Sequence, residues 1–339
     1  THWLDVVRFA ESDGYRADDL RSSAYLYRDY VIRSLNQDKP YDQFVREQLA
    51  GDEIDPQDFD HMIATAFLRH GVYEWNQRNA RMQWELILNE MTNVTGEVFL
   101  GLGMGCAQCH DHKFDPILQK DYYSLQSFLS SVWWPEDQNI GQPDQLLKLQ
   151  KWEAETVEVR EKLLELKNDI LKGNERVVVK QFPADIQEMY YKKPEERTTH
   201  EQQLVEMVNR QVRHKGKRIK WEEKFKNKEE LKKKYDDLNI QLASFSPKPS
   251  LPQAFITTDL STRPARTFVP GKKKEETFPE FLTLLNLPSP KIEETKHGTT
   301  GRRLALAKWI TSPDNPLSTR VIVNRVWQKH FGQGLVTTA

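Results

Sequence analysis

The spacing of apolar residues predicts a mainly helical chain. His2, Trp3, Val6, Val7, Phe9 and Ala10 recur near helical spacing until Ser12, Asp13 and Gly14 break the pattern into a turn. Further helices are predicted over 24–35, over 41–49 with Gly51 as a stop signal, and over 59–68. A longer one covers 80–100, where Trp84, Ile87, Leu88, Met91, Val94 and Val98 keep the period. It runs into Gly101, Gly103 and Gly105, which let backbone approach a bulky partner or form a plain loop.

The pattern changes beyond residue 140. Leu149, Trp152, Thr156, Val159, Leu163, Leu166 and Ile170 step alternately by three and four, a heptad seam, and Leu231, Tyr235, Leu238 and Leu242 form a second. Between 151 and 240 there are 22 Lys/Arg and 19 Asp/Glu, which marks the outer faces of these helices as solvated. The expectation is a charged, coiled-coil-like antiparallel hairpin projecting from the body. Its basic run from Arg210 to Lys234 is interleaved with glutamates and reads as a solvated face rather than a polyanion patch. A Pro/Ser linker follows at 246–252, then short strands at 254–258 and 267–269, a charged loop at 270–276, and helices at 301–310 and 320–331 around a turn at 312–316. The expected organisation is a helical domain over 1–140, the charged hairpin over 141–245, a mixed extended connector over 246–300, and the helical start of a second domain over 301–339.

Charge adds little at the global level. The formal net charge is −1, so nothing points to nucleic acid as a partner, and no run of about 18 apolar residues predicts a transmembrane helix. The two seams instead suggest that the hairpin packs on another domain or on a second copy, the latter giving a homo-oligomer.

The chemistry concentrates at Cys106, Ala107, Gln108, Cys109 and His110, a C-x-x-C-H that holds both cysteines of the chain. This is the attachment pattern of haem c: two thiols on one turn form thioethers to two vinyl groups, and the adjacent imidazole becomes the proximal iron ligand. A dithiol or structural disulfide, and a zinc site using Cys106, Cys109 and His110 or His112, are the alternatives. His112 is placed to bond a propionate or the backbone. The second axial position has long-range candidates in His2, His61, His70, Met82, Met91 and Met104, of which His2 leads because it heads a polar run with Arg8, Asp13 and Tyr15. Arg8, with Glu74 and Arg81 as companions, is suited to hold propionates or a substrate anion. Asp13 and Tyr15 are suited to orient a substrate hydroxyl beside the iron. Asp111 and Asp115 admit calcium or simple turn capping, and Trp133 and Trp134 admit a sugar-stacking platform or plain core packing.

His2–Tyr15 (H-W-L-D-V-V-R-F-A-E-S-D-G-Y), Asp38–Asp52 and Gly105–Tyr123 (G-C-A-Q-C-H-D-H-K-F-D-P-I-L-Q-K-D-Y-Y) resemble the planctomycete surface cytochrome-associated family. Its members carry two paired domains of unknown function, often behind an N-terminal cytochrome c module. Arg302–Leu335 looks like the opening of the second paired domain. The stretch Tyr73–Asn79 departs from the family's commoner acidic, glycine-containing pattern. The resemblance implies an exported, multi-domain protein of bacteria that degrade complex polysaccharides.

The leading expectation is an extracytoplasmic haem c protein, periplasmic or cell-surface, with its signal absent from this chain. It would carry electrons for, or perform, an oxidative step in sugar breakdown, with a redox partner protein or further cytochrome domain and carbohydrate as partners. The alternative is a non-redox hydrolase or glycan-binding scaffold whose cysteines are structural.

Overall fold

The computed structural model describes residues 1–15, 17–271 and 275–337, and its helices and strands bear out a mainly helical fold. The body is built from α1 (His2–Val6), α2 (Tyr25–Asn36), α3 (Tyr41–Ile54), α4 (Phe59–Ala64), α5 (Ala80–Thr95) and α6 (Gln119–Leu129). In α2 the buried residues Tyr27, Tyr30, Val31 and Ser34 fall at i, i+3, i+4 and i+7, one helical face. The Tyr30 ring stacks on Phe44 of α3 with centroids 5.8 Å apart. Gly51 does not stop α3 as the pattern predicts; the helix bends at Ala50 and runs on to Ile54. Only glycine fits at 51, because a Cβ there would overlap the His61 carbonyl oxygen of α4.

The charged segment contains α7 (Pro143–Glu155), α8 (Val157–Val179), α9 (Ala184–Tyr191), α10 (Thr199–Lys217), α11 (Trp221–Phe225) and α12 (Glu229–Ala243). Its first seam faces inward: Leu149, Trp152, Thr156, Val159 and Leu163 are all buried. The two seams meet as α8 against α12, but the segment holds more than the predicted two helices. The helix breaks at Thr156, whose hydroxyl bonds back to the Trp152 carbonyl at 2.7 Å, and α8 packs against both α10 and α12. α10, which neither seam predicts, lies on the body. Gln203 donates from Nε2 to the carbonyls of Ser130 (2.8 Å) and Val132 (2.9 Å), while Leu204, Met207 and Val208 enter the body's own core.

The connector also closes on the body. β1 (Val132–Trp133) pairs antiparallel with β2 (Thr258–Asp259), in register Val132 to Asp259, and β3 (Thr267–Val269) pairs with β4 (Glu275–Thr277). The predicted loop at 270–276 therefore ends in a strand, and its residues 272–274 lie outside the described residues. The chain continues in α13 (Arg302–Ile310) and α14 (Ser318–Phe331).

One guanidinium fastens this last segment to the first. Arg303 is fully buried and donates to both carboxylate oxygens of Asp52 at 2.7 Å and to Asp259 at 3.0 Å, with Glu53 at 3.5 Å. Burial alone would lower the Arg303 guanidinium, but Asp52, Asp259 and Glu53 reverse this and hold it well above its usual range. Three carboxylates around one cation leave negative charge in excess. Burial, reinforced by Asp259 and Asp52 and opposed by Arg303, pushes the Glu53 carboxyl up to about 8, so Glu53 carries a proton at neutral pH.

Candidate functional site

The C-x-x-C-H turn follows from what precedes it. α5 passes into a π-helical turn, Gly96–Leu100, and the chain reverses at Gly101, whose φ of +65° suits glycine. A Cβ at 101 would meet Val321 Cγ2 at 2.7 Å, so this glycine admits α14 rather than a porphyrin. Gly103 and Gly105 face open space. The 3-10 turn Met104–Gln108 comes next, and its period of three sorts the side chains. Met104 and Ala107 are both 0% exposed and anchor one side, while Cys106 and Cys109 stand exposed on the other. Both are free thiols, so the structural disulfide is not formed.

His110 is exposed, and its Nδ1 lies 2.7 Å from the Asp111 carbonyl oxygen. A carbonyl only accepts, so Nδ1 carries the hydrogen and the lone pair sits on Nε2. His112 does backbone work: its Nδ1 accepts from the amides of Asp115 (2.9 Å) and Phe114 (3.3 Å). Asp111 accepts from the Gln119 amide at 2.8 Å and so holds the turn, whereas Asp115 holds it through its amide. Among the described residues no group of three or more His, Cys, Asp or Glu is arranged to hold a metal ion, and neither the zinc set nor a calcium set is assembled. Tyr123 and Gln119 bind the Gln108 carbonyl from α6 and fix the loop to the body. Phe114, at the loop's tip, is 84% exposed.

The other predicted site residues are not gathered here. His2 is exposed on α1. Met91 and Met104 are sealed in the core, and His61 is 3.5 Å from Glu47, whose hydrogen bond raises its pKa. His70 is buried between Phe9, Tyr27 and Phe255 with both ring nitrogens unpartnered, and burial, with Arg21, Arg8 and Arg69 nearby, keeps it neutral. Arg8 pairs with Glu90 of α5 instead of presenting itself to a ligand. Glu74 caps the Asn76 amide and Arg81 pairs with Asp185 of α9. Trp133 and Trp134 are core residues. Tyr15 is 67% exposed at a surface cleft beside Trp75.

Asp13 belongs to a second polar constellation. It accepts from Arg21 at 2.7 Å and lies 3.5 Å from Arg210 of α10; Arg210 and Arg69 share Glu136. The Arg210 guanidinium also covers the Tyr73 ring at 3.7 Å. The basic run was expected to be solvated, yet Arg210 is 16% exposed. The signal that marks it is the buried stripe Leu204, Met207, Val208 and Gln211 of α10, whose edge carries residue 210.

Residues 1–133 match the family model PSCyt2, described as a protein of unknown function (DUF1549), and residues 302–339 match PSD1, a protein of unknown function (DUF1553). The chain thus carries sequence of two domains of unknown function, fitting the paired domains it resembles, and the name of the first points to a cytochrome association. No curated protein and no solved structure matches it.

Proposed function

We propose that residues 1–140 carry covalently attached haem c and pass electrons to a partner protein outside the cytoplasm. The observation that carries this reading is the disposition of the turn: two free, exposed thiols three residues apart, followed by an imidazole whose Nδ1 hydrogen is engaged and whose Nε2 is available. These residues fit the group: Cys106 and Cys109 would supply the two thioether sulfurs, and His110 the axial nitrogen. Bound haem supplies a one-electron redox couple. The chain's part is to fix the ligand's orientation through Asp111 and to hold the loop rigid through His112, Gln119 and Tyr123. The turn stands on open surface, with Gly103 and Gly105 unobstructed and Phe114 uncovered, which suits electron exchange with a docked partner better than enclosure of a substrate. The electrons would serve an oxidative step in polysaccharide breakdown, in keeping with the polysaccharide-degrading bacteria that the family resemblance implies.

The test is a pyridine haemochrome assay on protein exported in the presence of a cytochrome c maturation system. The expected result is a covalently retained haem in the wild type, and, in the absorption spectrum of the native protein taken without pyridine, changed axial ligation in His110→Ala. Absence of retained haem in the wild type overturns the proposal.

A further inference from the structure

The Arg21–Asp13–Arg210–Glu136–Arg69 network forms the floor of a cavity of ≈ 320 Å³. It lies where three stretches remote in sequence meet: the body, α10 of the charged segment, and the connector through Phe255. Such a volume suits a small organic ligand. A buried ion network serving the fold alone would balance its charges and exclude solvent, as carboxylates and guanidiniums are expensive to desolvate unpaired. Here three guanidiniums share two carboxylates, and Arg210 Nη1 is buried without a hydrogen-bond partner beside an open cavity. Burial pulls Arg69 down to about 10, with Glu136 opposing and Arg210 adding to the fall. Arg213 and the exposed Lys217 stand at the rim with Asp19, and Arg213 is paired with Glu206 at 3.6 Å and Asp137 at 4.0 Å.

We propose that this cavity binds a small organic oxyanion: a carboxylate, a sulfate ester or a phosphate ester. Arg210 Nη1 is the donor free to recognise such an anion, since Arg69 is held by the Ala254 carbonyl at 3.0 Å and by Glu136, and Glu136, which the two arginines share, is the internal anion a ligand competes with. The site has no residue in common with the C-x-x-C-H turn, and the inference does not depend on haem attachment.

Isothermal titration of the full chain with glucuronate, glucose 6-sulfate and glucose 6-phosphate, against glucose, tests it. These probes share the glucose ring and differ in the charged group at C6, so their order of affinity identifies the group preferred. Saturable binding of at least one anion and none of glucose is expected. Arg210→Gln should weaken that binding about tenfold or more, the worth of one charge-assisted hydrogen bond. Glu136→Gln, which removes the competing carboxylate, should strengthen it, and Lys217→Ala should weaken it slightly. Should Arg210→Gln fail to fold, the other two variants carry the test, since Lys217 is an exposed rim residue. The proposal is overturned if no anion saturates, if glucose binds equally well, or if Glu136→Gln and Lys217→Ala both leave the affinity unchanged.

Discussion

The C-x-x-C-H turn and the Arg303 cluster are opposite ways of placing reactive groups. In the turn, two thiols and an imidazole stand in solvent while their neighbours Met104 and Ala107 anchor the backbone. In the cluster, one guanidinium and three carboxylates are sealed from water. The first leaves its functional atoms available; the second turns its carboxylates to Arg303 and to the Thr300 and Leu304 amides. Exposure of a chemically capable group, rather than its presence, separates a candidate site from a fastening.

The comparison can be broken most directly at its buried end. Arg303→Ala would leave Asp52 and Asp259 as uncompensated buried charges, and a loss of about 3–5 kcal/mol in urea unfolding is expected. A loss below about 1 kcal/mol, the range of an exposed ion pair, would show that the cluster is not a fastening.

The proton on Glu53 gives a signed prediction. The folded state keeps it up to about 8, while the unfolded chain releases it near the ordinary 4.5, so the folded state binds the extra proton in between. Stability contributed by this group is therefore fully present below 4.5 and is lost as pH rises through about 8. Glu53→Gln should flatten that decline in a series of unfolding curves. An unchanged slope would place the proton elsewhere.

At the exposed end the effects shrink. His112→Ala removes the acceptor for two loop amides, and a destabilisation of about 1 kcal/mol is expected, with the loss visible as faster amide exchange at Phe114 and Asp115. Cys106→Ser with Cys109→Ser touches only exposed atoms, so stability of the haem-free chain should stay within about 0.5 kcal/mol of wild type.

The same contrast explains what could be read in the sequence. α2, α5, α13 and α14 follow from apolar periodicity, and the C-x-x-C-H turn is legible because its residues are neighbours along the chain. α3 ran past Gly51 because a close backbone approach, which no local pattern reveals, is what required glycine there. The Arg303 cluster joins positions about 250 apart and Arg210 meets Asp13 from another segment; both depend on tertiary packing that single-sequence periodicity does not encode. The docking of α10 was hidden for a related reason: its charged composition masked a short buried stripe, Leu204–Gln211.

Peptide mapping by mass spectrometry of the exported protein tests the central claim most directly. The account predicts a haem-modified peptide containing both Cys106 and Cys109, lost when both are replaced by serine while the chain remains folded. Unmodified thiols at both positions, in protein matured alongside a control cytochrome c that does acquire haem, would contradict it.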